Sequence, residues 1–169
     1  MARQHGDNEP LAFPVLIADI GGTNARFALI PDAYGDLKHF PTVTTSDYPS
    51  PLAAIEQAVL AHTSLLPKSI VMAIAGPVDL PPIKLTNAEW VIEPDAMIET
   101  FGFRDVVVVN DFEALALALP SLEDKHLVQL GGGEARAHAP RVVVGPGTGL
   151  GVASLVSSAG RLTPIPGEG

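Results

Sequence analysis

Apolar residues fall along this chain in short blocks, each closed by glycine, proline or a small polar residue. Two β-rich runs, 15–20 and 25–30, flank Gly21-Gly22-Thr23-Asn24, and Gly-Gly between such runs predicts a tight hairpin. Residues 37–44 predict a third strand, interrupted by Pro41 and so expected at an edge. Ser50-Pro51 places a capping hydroxyl before a proline at the first helical position, and Leu52, Ile55 and Val59 recur at helical spacing until Pro67. The unbroken apolar runs 70–75 and 106–109 predict buried parallel strands. The first stops at Gly76-Pro77 and the second at Asn110-Asp111. Between them, 81–91 reads as a rigid proline-rich loop and 94–101 as a helix with Gly102 placed to end it. A further helix is expected over 111–119, closed by Pro120. Strands at 142–144 and 152–157 bracket Gly145-Pro146-Gly147-Thr148-Gly149-Leu150-Gly151.

One shape therefore occurs twice: an apolar strand, a glycine-rich turn with a hydroxyl, then another apolar strand. That repetition predicts two related lobes facing each other. The expected organisation is a polar tail over 1–12, a first α/β lobe over 13–120, a linker over 121–140 and the beginning of a second lobe over 141–169. No helix follows the last strands to cover them, so the sequence is expected to be the N-terminal portion of a longer protein.

Composition narrows the partners. The 169 residues are 47% hydrophobic and 17% charged, too apolar for disorder and suited to a sheet covered on both faces. Ten Lys and Arg against nineteen Asp and Glu leave a net charge of −9, which repels nucleic acid and anionic membranes. A phosphate bound to such a surface has to be held locally, by aimed N–H groups and a metal ion. With no cysteine, disulfides, thiolate zinc sites and thiol nucleophiles are excluded. The polar first residues do not read as a signal peptide, and no apolar run approaches the ~18 residues that cross a bilayer. A cytoplasmic protein is expected.

The candidate chemistry sits at the turns. In Ala18-Asp19-Ile20-Gly21-Gly22-Thr23, side-chain-free backbone can approach phosphate oxygens, Thr23 adds a hydroxyl, and Asp19 can hold hydrated Mg²⁺. Alone, this motif reads first as a plain hairpin with Asp19 as a turn-former, and the rest of the chain is what favours the phosphate reading. The 145–151 element fits neither a dinucleotide fingerprint nor a Walker A loop. It reads either as a flexible hairpin or as a phosphate loop in which Gly147, Thr148 and Gly149 face the ligand. Asn110 and Asp111 stand where a strand meets a helix, the usual place for ligands in open α/β sheets. Asn110 can cap that helix with Glu113 as reciprocal partner. An ionised Asp111 can accept a proton from an attacking hydroxyl, and Asn110 can bond a polyol. Glu168 is a turn carboxylate, and Trp90 in the 81–91 loop suits either an anchor or a stacking surface. The five histidines show no metal-ligand spacing.

Taken in order, 18–26, Ala75-Gly76-Pro77-Val78, 85–90, Val109-Asn110-Asp111-Phe112, 145–151 and Pro166-Gly167-Glu168-Gly169 resemble the bacterial glucokinase family of the sugar kinase/hexokinase/actin-like superfamily. The resemblance implies an actin-like ATPase (ribonuclease H-like) α/β domain with a mixed five-stranded sheet, followed by the start of a second lobe. It implies ATP and Mg²⁺ as cofactors and transfer of the γ-phosphate to the 6-hydroxyl of glucose. By the same resemblance, 18–23 and 145–151 are the two phosphate loops, Asn110, Asp111 and Glu168 hold the sugar, Asp111 is the base, and the full-length protein is a homodimer. A kinase for a related hexose or N-acetylhexosamine, and an actin- or chaperone-like ATPase, remain compatible with the residues.

Overall fold

The computed structural model describes residues 2–4, 10–78, 81–85, 88–134, 136, 139–146, 150–158 and 160–167. The chain divides into two compact units, Met1–Asn110 and Asp111–Gly169. Sequence places this boundary later, after residue 120. The helix after Asn110 instead belongs with the second unit.

The first unit is built on a mixed sheet. Its strands are β1 (Ala2–Gln4), β2 (Val15–Ile20), β3 (Asn24–Ile30), β4 (Lys38–His39), β5 (Val43–Thr44), β6 (Ser69–Ile74) and, after a separate β7 (Ile83–Lys84) and β8 (Val91–Ile92) ribbon, β9 (Asp105–Asn110). The spatial order is β1-β9-β6-β2-β3-β4, with β5 also paired to β3. β2, β6 and β9 run parallel, while β3, β4, β5 and β1 add antiparallel at the flanks. The sheet thus carries seven strands rather than five. Pro41 splits the expected 37–44 strand into two short pieces, because proline has no N–H for the ladder. The three residue pairs of β1 with β9 come from the N-terminal segment expected to be a loose tail, with Ala2 opposite Val108.

The helices of this unit pack on one face. Leu16, Ala18 and Ile20 share that face with Phe27, Leu29, Ile70, Met72, Ile74, Val106 and Val108, as the strand registers require. Ser50 Oγ accepts the Ala53 N–H at 3.2 Å to start α1 (Pro51–Ala54), which continues through a π-helical stretch (Ile55–Val59) and a 3-10 turn (Leu60–His62). Ala54, Ile55 and Val59 from this segment join the core, as does Met97 from α2 (Pro94–Phe101). Gly102 ends α2 in the left-handed conformation (φ 70°), its N–H donating to Ile98 O at 2.8 Å. On the opposite face Ile17, Val71 and Ala73 are half-buried, while Val15, Val107 and Val109 are buried. At the strand starts, the Ser69 hydroxyl donates to the buried Asp105 carboxylate at 3.0 Å, which pins β6 to β9.

The second unit is a three-stranded antiparallel sheet in the order β10 (Arg141–Pro146), β11 (Leu150–Ser158), β12 (Arg161–Pro166), with α3 (Asp111–Ala118) packed on it. Ala116, Ala153 and Leu155 form its small core, with Phe112 and Val143 against it. Gly145 and Gly151 are paired directly across the two strands. A Cβ on Gly145 would meet the Phe112 ring at 2.7 Å, and one on Gly151 would overlap it. These two glycines are therefore demanded by packing. The other face carries the exposed Val142, Val144 and Ile165.

Candidate active site at the strand ends

The site begins with a register. Ile20, Ile74 and Asn110 are mutual partners across β2, β6 and β9, so three parallel strands end at one level. Neighbouring strands lie about 4.8 Å apart, which puts the end of β9 about 10 Å from that of β2. The carboxyl ends of such strands are where open α/β sheets bind ligands.

At the β2 end the chain turns as expected. The Gly21 N–H donates to Asn24 O at 2.9 Å and closes a tight hairpin, with Asp19 opposite Arg26. Gly21 shows no positive φ, and a Cβ placed on it would make only ordinary contact, with Asn24 O at 3.5 Å. Neither backbone strain nor internal crowding requires glycine there. What its missing side chain leaves is open approach to the turn. The Gly21 N–H itself is spent on closing the hairpin, so the N–H groups that can meet a phosphate are those further along the turn. Thr23 is exposed, as the phosphate reading requires.

Asp19 Oδ2 accepts from Arg26 Nη1 at 2.9 Å, and both side chains are more than half exposed. Exposed pairs of this kind contribute about 0–1 kcal/mol, so the arginine is easily displaced from the carboxylate. Asp19 projects from the face opposite to Ile20, whereas Asn110 shares the Ile20 and Ile74 face. The strand ends bring the hairpin and Asn110 to one edge, with these two side chains on different sides of the sheet. Among the described residues no cluster of three or more His, Asp or Glu is placed to hold a metal. A cation here would depend on one carboxylate, water and phosphate oxygens, which is the usual manner of Mg²⁺.

Beyond β6, Gly76 O accepts from Asn110 Nδ2 at 3.1 Å, so the carboxamide is tied to the neighbouring strand's turn. Asp111 opens α3, and its Oδ1 accepts the Phe112 N–H at 2.9 Å. A carboxylate at a helix N-terminus is favoured in its ionised form by the aligned peptide dipoles. Trp90 is buried, and its indole N–H donates to Tyr48 O at 2.8 Å. That makes it an anchor, not a sugar-stacking surface. Gly147, Thr148, Gly149 and Glu168 lie outside the described residues, as does Asn87.

Two neighbours of the site were not singled out from sequence. Arg26 was legible: a two-residue loop at Gly22-Thr23 forces position 26 opposite 19. Thr45 was not. It is buried and bonds the turn from a distant segment, the hydroxyl to Gly22 O and the N–H to Thr23 O, both at 2.9 Å. Two concavities, of about 100 and 360 Å³, are lined by other residues, and neither includes Asp19, the 21–24 turn or Asn110. No described helix is long and apolar enough to cross a membrane.

The Glucokinase family model matches residues 16–169. The chain belongs to the glucokinase family. Among curated glucokinases it is 53% identical over 157 residues to that of Brucella suis biovar 1 (strain 1330), covering 93% of this chain and 46% of the relative. It is 48% identical over 169 residues to that of Rhizobium johnstonii, covering all of this chain and 50% of the relative. A solved glucokinase from an Antarctic psychrotroph superposes with a TM-score of 0.78 at 35% identity, over 92% of this chain and 50% of that one. The glucokinase from Balamuthia mandrillaris in complex with glucose shares the fold, with a TM-score of 0.58 at 21% identity over 91% and 47% of the two chains. This member of the glucokinase family spans about half the length of the curated relatives it matches. The expected α/β class, with its mixed sheet of the sugar-kinase kind, is thus correct.

Proposed function

We propose that this chain supplies a phosphate-binding hairpin and a sugar-directed base to an ATP-dependent glucokinase, which moves the γ-phosphoryl group of ATP to the glucose 6-hydroxyl. The observation that carries the reading is the common level of Ile20, Ile74 and Asn110, which puts a glycine hairpin and a strand-to-helix junction at one edge of the sheet. Membership in the glucokinase family supports the reaction class.

The residues fit a nucleotide phosphate. Gly21 lacks a side chain without a structural demand for it, and the turn beyond it is exposed. In this reading 18–23 receive the phosphates, and Gly147, Thr148 and Gly149 belong to the second phosphate loop. Asp19 would hold Mg²⁺ through water, and the ion would supply neutralisation of the phosphate charge. Phosphoryl transfer passes through a loose transition state, so positioning and charge stabilisation are the protein's main tasks. Asn110, whose carboxamide donates to Gly76 O, bonds one sugar hydroxyl, and Glu168 accepts from another. Asp111, at the start of α3, orients the 6-hydroxyl and takes its proton as the new bond forms. The whole protein acts in the cytoplasm as a homodimer.

The test is glucose-dependent ADP formation by the full-length protein and its Asp111→Asn variant. Asparagine keeps the shape but cannot take the proton, so turnover should fall ~10²–10⁴-fold while glucose affinity changes little. Undiminished turnover in that variant would remove Asp111 from the chemistry.

A further inference from the structure

We infer that Thr45 is a positioning residue that sets the aim of the phosphate hairpin, an inference that rests on the phosphate reading of that hairpin. Thr45 follows β5 and opens a 3-10 turn (Thr45–Asp47), and it is 4% exposed. Its hydroxyl donates to Gly22 O and its N–H donates to Thr23 O, each at 2.9 Å. One buried residue thus grips two consecutive carbonyls of a glycine-containing turn.

Peptide planarity converts that grip into a direction. In a trans peptide the C=O and N–H point to opposite sides. Holding Gly22 O toward Thr45 therefore turns the Thr23 N–H away from Thr45, while holding Thr23 O turns the Asn24 N–H toward Gly21, whose own N–H donates to Asn24 O. Without a clamp, a glycine turn samples many orientations of these planes. With it, the Thr23 N–H is aimed before an anion arrives, and prior orientation is what lets backbone dipoles hold charge well. The clamp is itself secured independently of the turn, since Trp90 Nε1 donates to Tyr48 O at 2.8 Å three residues beyond Thr45, and the Tyr48 N–H returns to Thr45 O. Removing the hydroxyl should therefore loosen one peptide without dislodging the segment.

The experiment compares wild type, Thr45→Val and Thr45→Ser in the full-length protein. Mg·ADP affinity is read by titration calorimetry, and Michaelis constants for ATP and glucose by ADP release. Valine keeps the buried shape and deletes one hydrogen bond, which should weaken Mg·ADP binding and raise the ATP Michaelis constant by about tenfold. The glucose Michaelis constant should stay within about twofold, and serine, which keeps the donor, should restore nucleotide affinity. Should valine prevent folding, Thr45→Ala makes the same comparison without the branched side chain. Mg·ADP affinity unchanged by the loss of the hydroxyl, or lowered equally in Thr45→Ser, overturns the clamp. A wild-type protein that binds glucose but no Mg·ADP refutes the phosphate reading itself and the clamp with it.

Discussion

Asp19 and Arg26 face each other across the hairpin at 2.9 Å, and their exposure makes the pair a poor contributor to stability but an accessible charge. Asp19→Asn should accordingly leave the melting temperature almost unmoved. If Asp19 carries hydrated Mg²⁺, the same change should raise the Mg²⁺ concentration for half-maximal activity about 10- to 100-fold, with the glucose Michaelis constant unaffected. A Mg²⁺ titration of both proteins at saturating ATP decides this. Residue chemistry at this scale was legible wherever it followed from a short motif. The hairpin, its Asp19–Arg26 register and the junction at Asn110-Asp111 could all be read from local sequence. Thr45 could not, because a buried threonine bonding a turn more than twenty positions away leaves no local pattern. Trp90 kept two readings until its indole N–H was seen on Tyr48 O.

Among the elements, α3 and the glycines of β10 and β11 form the tightest fit. From sequence, Gly145 and Gly151 read as part of a phosphate loop or a mobile turn, yet both are needed so that the Phe112 ring can lie on the sheet. Two neighbouring facts explain the ambiguity: glycine permits ligand approach and ring approach alike, and only tertiary contact tells them apart. Gly151→Ala should cost about 1–3 kcal/mol through forced displacement of that ring. Phe112→Leu, which shortens the ring side chain, should recover part of the loss in the double variant, and denaturant titration of the four proteins measures the coupling. Because Phe112 follows Asp111 in the first turn of α3, the clash should also depress turnover more than it alters glucose affinity. Elsewhere the elements followed their signals closely. α1 starts at Ser50-Pro51 and α2 ends at Gly102, where capping is local. The 37–44 strand did not survive intact, since Pro41 has no ladder hydrogen to give. The pairing of Ala2–Gln4 with β9 depends on an edge that a polar sequence does not announce.

For the whole molecule, the chain divides at the Asn110–Asp111 link, where the sequence placed its chemistry. The helix that sequence assigned to the first part packs on the β10–β12 sheet, an allocation that depends on which glycines a ring can reach. The net charge of −9 sets a further constraint at this scale. Such a charge repels nucleotide at long range, so in the proposed function its binding would have to come from aimed backbone donors and a cation. The most direct measurement follows the label from γ-³²P ATP when the full-length protein is given glucose. The account predicts that it appears on the glucose 6-hydroxyl, at a rate that depends on glucose and collapses in Asp111→Asn. Label released as inorganic phosphate regardless of sugar, or passed to an N-acetylhexosamine in preference to glucose, would contradict it.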